Sequence, residues 1–290
     1  MQSYEKFKSQ ILERCRAAFP QADVHISPVR KNNGAVLDGL IVMSPGSNIS
    51  PTIYLEQIYE IYRCTGDFES IWRDLYAVYQ ECRGTKTIDL AFLEDPAEVL
   101  PYLFCRLISA ERNAQLLTEV PHRMFVDLAV VYYIGVAANG SARASILITN
   151  DRMADWGLTE EELYETAVRN NRTKFPAEVI SLSRFLESED PGFCQEEAPL
   201  PLYILTNKLK YFGASALLDE DVLARFAQEE GDFYILPSSL HEVLLISKRA
   251  APAPDTLNEI IRDVNRSHLD PQDILSDHLY TYSLESQSVE

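Results

Sequence analysis

The chain has 290 residues, 46% of them hydrophobic and 24% charged, enough to bury a sizeable core in one large domain or two small ones. It carries 44 acidic side chains against 26 basic ones, a net charge of −18 and a sequence pI near 4.7. A surface of that sign repels nucleic-acid phosphates and anionic lipid headgroups, so neither is expected as a partner, and a protein or small-molecule partner remains.

Tyr4, Phe7, Ile11, Cys15, Ala18 and Phe19 recur at helical spacing and predict an amphipathic helix ending before Pro20. Val24 to Ile26 and Val36 to Met43 read as strands joined through Asn33-Gly34, a hairpin turn signal. Ser50-Pro51 is expected to open a helix with the stripe Leu55, Ile58, Tyr59 and Tyr62. Gly66-Asp67 closes it and starts another, bearing Phe68, Ile71, Trp72, Leu75 and Tyr79. Arg83-Gly84-Thr85-Lys86 marks a boundary between a small N-terminal unit, 1–84, and a main domain, 85–290.

Asp95-Pro96 caps a short helix, Tyr102 to Ile108 reads as a strand, and Ser109 to Val120 as a helix. Phe125 to Ala138 is a long apolar run interrupted by Asp127. It is expected to pair with Ala144 to Thr149 through Asn139-Gly140. Thr159 with Glu162 forms a capping box for a helix through Asn170, and Pro176 to Leu186 reads as helical. Residues 187–201 form an acidic loop rich in proline. Leu202 to Thr206 is strand-like, with Ala214 to Leu218 as a candidate partner. Asp219 caps a helix bearing Val222, Leu223 and Phe226. Ile148-Thr149-Asn150 and Leu205-Thr206-Asn207 echo one another as strand ends that precede acidic helix starts. Phe233 to Leu236 and Val243 to Ile246 are expected to form a buried antiparallel pair. After the linker Ala251 to Pro254 come a helix with Leu257, Ile260, Ile261 and Val264, a short helix at Asp270-Pro271, a last strand near Tyr280, and a frayed polar tail. The fold class is α+β: an antiparallel sheet built from hairpins, with helices packed against it.

Cys15, Cys64, Cys82, Cys105 and Cys194 show no C-x-x-C spacing, which argues against a zinc ribbon or a disulfide framework and for a reducing compartment. The N-terminus is charged, and the longest apolar run, Leu128 to Ala138, is shorter than the roughly 18 residues a bilayer requires. A cytoplasmic protein is expected.

Several phrases carry a resemblance: Asn113, Val120-Pro121-His122-Arg123, Asp127-Leu128-Ala129, Ile148-Thr149-Asn150, Trp156-Gly157-Leu158-Thr159, Leu202 to Lys208, Tyr234 to Glu242, and Leu275-Ser276-Asp277-His278. Together they resemble an uncharacterised family of bacterial proteins, common in Gram-positive gut anaerobes, that is defined as a domain of unknown function. The resemblance implies no reaction and no catalytic residue.

The densest group of reactive side chains is Ser238, Ser239, His241 and Glu242, at one end of the pair flanking Pro237. No phosphate-binding glycine loop, zincin motif or nucleophile elbow is present, and no cofactor or metal ligand is assigned. As chemistry, Ser238 or Ser239 would be the nucleophile, His241 or His278 the base, and Asp277 or Glu242 its orienter. His241, Glu242, Asp277 and His278 would alternatively form a mixed nitrogen and oxygen metal site. As architecture, the serines satisfy turn backbone, while His241 and Glu242 bond neighbours such as Asn150 or Asn207. Asp127, near a buried strand, needs a partner such as Arg123 or Arg112, or backbone. Candidate binding residues are Asn150, Asn207, Glu242, His278, His122 and Asp127. Two functions follow: a binding or regulatory protein without catalysis, or a hydrolase or metal-dependent enzyme around Ser238, His241, Glu242, Asp277 and His278.

Overall fold

The computed structural model describes residues 2–81, 87, 89–136, 144–189 and 200–290, in two units, Met1–Ala91 and Phe92–Glu290. The boundary expected at Arg83 to Lys86, the Asn139-Gly140 turn and most of the acidic loop lie outside those residues. The fold is α+β, and every strand pairing within it is antiparallel.

In the first unit, α1 (Tyr4–Ala18) is capped by Ser3, whose hydroxyl accepts the Lys6 N–H, and it buries Phe7, Ile11 and Cys15 on one face. β1 (Asp23–Arg30) and β2 (Val36–Met43) form the expected hairpin, with Asn33 and Gly34 both left-handed at φ 60° and 69°. Ser50-Pro51 does not open a helix. Thr52–Tyr54 forms β3 on β2, and α2 (Leu55–Thr65) begins only afterwards. The β-branched and aromatic residues of Thr52-Ile53-Tyr54 suit a strand opposite Gly39, where a Cβ would lie 2.6 Å from the Thr52 methyl. Gly66 closes α2, and the Asp67 carboxylate accepts the Ser70 N–H at the start of α3 (Phe68–Glu81). The core joins Phe7, Ile11, Leu40, Leu55, Ile71, Leu75 and Tyr79.

In the second unit, Asp95 caps α4 (Pro96–Val99), which leads into β4 (Leu103–Ser109). The helix expected over Ser109 to Val120 shrinks to α5 (Ala114–Leu117). The buried Asn113 amide donates to Ser109 O at 2.8 Å and holds a turn there instead. The long run after Phe125 is also corrected. β5 (His122–Phe125) turns through Val126 and Asp127 into β6 (Leu128–Val136), with Val126 at φ 55°, a costly conformation for a β-branched residue. β7 (Ala144–Leu147) pairs with β6, and α6 (Asn150–Asp155) is capped by Thr149. The Thr159–Glu162 capping box opens α7 (Glu160–Lys174).

The helix expected from Pro176 divides into β8 (Ala177–Ser181) and α8 (Leu182–Glu189), because Val179 and Ile180 pair at the sheet edge with β9 (Tyr203–Asn207). Ala214 to Leu218 is not a strand: Gly213–Leu218 is a fully buried 3-10 helix before α9 (Glu220–Glu230). β10 (Phe233–Pro237) and β11 (Val243–Ser247) pair as expected, followed by α10 (Pro254–Ser267) and β12 (Tyr280–Ser283). The tail is not frayed. Ser288–Val289 forms β13 on β12, and Glu290 and Thr281 exchange backbone hydrogen bonds at 2.8 Å.

One sheet runs β13-β12-β10-β11-β9-β8; in the other, β6 lies between β4 on one side and β5 and β7 on the other. One face of the six-stranded sheet joins Phe233, Ile235, Val243 and Leu245 to the core shared with β4 and β6. Leu236 and Ile246, on the opposite face, pack on Leu257 and Ile261 of α10. No helix among the described residues is long and apolar enough to cross a membrane.

The free edge of β4 is closed by side chains of α7. Asn171 accepts the Cys105 N–H at 3.3 Å and donates to Cys105 O at 2.9 Å, while Asn170 donates to Leu100 O and Leu103 O, both at 2.8 Å. Asn171→Ala leaves two buried backbone groups unpaired and is expected to cost about 2 kcal/mol. A shift of the urea midpoint checks this, and an unchanged midpoint would mean that water replaces the amide.

Candidate functional site

The β10–β11 turn is held by its own polar residues. The Ser239 hydroxyl donates to Glu242 at 2.8 Å and the Ser238 hydroxyl at 3.4 Å, while Ser239 Oγ accepts the His241 N–H at 2.9 Å. A second loop, after β9, is laced to it. The Asn207 carboxamide oxygen accepts the Leu209 and Tyr211 N–H groups, and its nitrogen donates to Tyr211 O at 2.8 Å. The Thr206 hydroxyl donates to His241 O at 2.7 Å, and the Ala214 N–H donates to Leu240 O. Gly213 sits where the loops meet. A Cβ there would lie 2.1 Å from Thr206 Oγ1, 2.3 Å from His241 O and 2.8 Å from Asn207 N. Lys210 and Phe212 both take φ 51°, left-handed values that ordinary side chains avoid.

This lacing fixes both the tautomer and the plane of the neutral His241 ring. A backbone N–H only donates, so the Phe212 N–H, 3.2 Å from His241 Nδ1, leaves that nitrogen its lone pair and places the proton of the neutral ring on Nε2. Nε2 faces Asp273 at 3.9 Å. The imidazole lies nearly parallel to Phe212, at 13° and 5.8 Å between centroids, and stacks on Tyr211 at 5.5 Å.

Against these rings stands Arg106, the one charged residue of β4. Its guanidinium carbon is 4.6 Å from the Phe212 ring centre and 5.9 Å from that of Tyr133. Its Nε is buried without a hydrogen-bond partner, and no carboxylate among the described residues pairs with it. Burial pulls its pKa below the usual arginine value, and Tyr133 and Tyr211 only partly offset this.

A second polar cluster gathers Asp127, His278 and Tyr280. Asp127 accepts from Tyr280 OH at 2.7 Å and faces His278 Nε2 at 2.8 Å, while His278 Nδ1 faces Leu279 O at 3.3 Å. Burial, with Asp127 adding to it, raises the Tyr280 phenol well above its ordinary value. Beside it, Asp277 takes hydrogen bonds from Arg112 at 2.5 Å and Asn265 at 2.8 Å.

The chain matches a family of unknown function, DUF5688, over residues 4–284. It belongs to that family. No curated protein and no solved structure matches it.

In this DUF5688 chain the residues singled out for chemistry fall into separate hydrogen-bonded sets. The Ser238 and Ser239 hydroxyls donate to Glu242, and Ser239 Oγ meets only the backbone N–H of His241, so neither serine pairs with the His241 imidazole. Asp277 orients no histidine, because Arg112 and Asn265 hold its carboxylate; His278 is oriented by Asp127 instead. His241, Glu242, Asp277 and His278 do not assemble as ligands, and no group of three or more acids, histidines and cysteines among the described residues could hold a metal. Asp127 finds His278 and Tyr280, not Arg123 or Arg112. Arg123 is engaged by Glu160 and Glu161. Asn150 donates to Thr118 O, and His122 Nδ1 faces Val120 O at 3.1 Å, both serving local backbone. The two Thr-Asn pairs do different work: Thr149 caps α6, while Thr206 and Asn207 bind the two loops together. Cys15 and Cys105 are buried thiols pushed up to about 12, as small core residues should be.

Sequence reasoning missed Arg106, Tyr211, Phe212 and Gly213. The available signal was a lone arginine in the apolar strand Leu103-Phe104-Cys105-Arg106-Leu107-Ile108.

Asp277 sets a pH dependence. Burial alone would raise its carboxyl, but the Asn265 and Arg112 hydrogen bonds prevail and hold it below the usual value. A depressed folded pKa stabilises above the unfolded value of about 4, and that stability is lost as pH falls through the folded one. Asp277→Asn should therefore flatten the acid limb of urea midpoint against pH below about pH 4. An acid limb as steep as that of the unaltered chain would show the carboxylate to be unimportant there.

Proposed function

We propose that this is a non-enzymatic binding or regulatory protein of the bacterial cytoplasm, which takes its partner at the laced loops 207–213 and 238–242. The observation behind this reading is the engagement of both candidate bases by the fold. His241 spends its lone pair on the Phe212 N–H, and both ring nitrogens of His278 face oxygen acceptors. Neither imidazole meets the hydroxyl of Ser238 or Ser239, as the base of a nucleophilic pair must. The acidic surface, at net charge −18, keeps the chain dispersed and turns away polyanions.

The test is a panel of small metabolites incubated with the full chain, read both by thermal shift and by mass spectrometry of each compound. Some compounds should raise the melting temperature and be recovered unchanged. Consumption of any compound, abolished by His241→Ala or His278→Ala, would overturn the reading in favour of an enzyme.

A further inference from the structure

Among the described residues of the second unit, Arg106 Nε is the one buried side-chain nitrogen or oxygen without a hydrogen-bond partner. A guanidinium carries five N–H donors, and neither a hydrogen bond nor an ion pair to any described residue engages one of them. Of its nitrogens only Nε is both buried and unpartnered, so the two terminal nitrogens are the ones that reach solvent. The chain has 44 acids, yet among the described residues none pairs with Arg106. A partly buried cation without a counter-charge opposes folding unless something outside the chain compensates it. The surroundings are aromatic. Phe212 covers the guanidinium, Tyr211 and His241 extend the stack, and both of these keep part of their surface exposed. Two left-handed residues and the close approach at Gly213 hold the loop that presents these rings, which is backbone strain gathered beside an unpaired charge.

We infer that Arg106 is an anion-recognition residue whose ligand is a small organic carboxylate. The carboxylate meets the terminal guanidinium nitrogens, and its flat or apolar body lies against Tyr211 and His241. One guanidinium balances one negative charge, which favours a carboxylate over a doubly charged phosphate. The rings add nothing to the binding of a bare ion but do favour an organic body. The inference rests on the binding reading above and gives it a chemical class.

The experiment is a titration of the full chain followed by amide NMR, with sodium benzoate, its neutral isostere benzamide, and inorganic phosphate. Benzoate should shift the amide resonances of Tyr211, Phe212 and His241 saturably. Benzamide and phosphate should bind roughly tenfold or more weakly. Arg106→Gln should abolish the benzoate response, and Arg106→Lys, which keeps the charge but loses the fork, should retain a weakened one. Benzoate binding that survives Arg106→Gln, shifts confined to other residues, or phosphate binding as tightly as benzoate would each overturn the proposal. If benzoate fails while other panel compounds are bound and recovered intact, the ligand class is wrong and the binding reading stands. Consumption of a panel compound sinks that reading instead.

Discussion

Gly213→Ala is expected to lower the unfolding free energy by about 4 kcal/mol, a large effect for the addition of one methyl group. The glycine is not there for backbone freedom, since its φ is not left-handed. It is there because two loops meet at its Cα. A Cβ would overlap Thr206 Oγ1 at 2.1 Å and His241 O at 2.3 Å, and the second of these is backbone that cannot swing away. Relieving the overlap means breaking the 2.7 Å bond from the Thr206 hydroxyl to His241 O, which leaves a nearly buried hydroxyl unpaired. Gly157→Ala provides the contrast. Nothing lies within 4 Å of a Cβ there, so only its φ of +64° is strained, at about 1 kcal/mol. Equal urea midpoints for the two variants would contradict the close approach. The Gly213 variant should also loosen the tyrosine and imidazole stack, seen as line broadening at Tyr211 and His241.

Arg106→Met should act in the opposite direction and stabilise the chain by about 2–3 kcal/mol. Methionine keeps an unbranched apolar stem against Phe212 and Tyr133 and removes a charge that burial already disfavours. Contact with the rings returns part of the cost of holding a guanidinium there, but cation–π contact is worth less than a hydrogen-bonded partner. A gain in stability together with loss of benzoate binding is the signature of a residue kept for recognition. A loss of stability of similar size would show that Arg106 supports the fold, through contacts stronger than ring stacking.

Much of the fold could be read from local chemistry. Asp67, Asp95 and Thr159 announced their helices because a side-chain cap acts within a few residues of its helix. Asn33-Gly34 announced its hairpin for the same reason. The failures share a different cause. Thr52–Tyr54 and Ala177–Ser181 are strands because a distant strand offers its edge, which no window of a dozen residues contains. Val126 turns a hairpin without glycine, held by Asp127 contacts to residues 278 and 280. Of the candidate site, His241, Glu242 and Asn207 were found by their polarity, while the roles of His241 and Asn207 were hidden because Phe212 and Tyr211 reach them through backbone groups that carry no residue-type signal. Arg106 could be seen as an exception in an apolar strand, but that no described residue pairs with it by hydrogen bond or charge is visible only in three dimensions.

Among the described residues the Arg106 guanidinium has ring contacts but no hydrogen-bond or ion-pair partner. Nitrogen-detected NMR of the arginine side chains measures this most directly, through rotation of the terminal Nη groups. In the ligand-free chain Arg106 should show averaged, freely exchanging Nη signals, which separate and sharpen when benzoate is added. Separate Nη signals already present without ligand would mean that a carboxylate of the chain holds the guanidinium, and the account would be wrong.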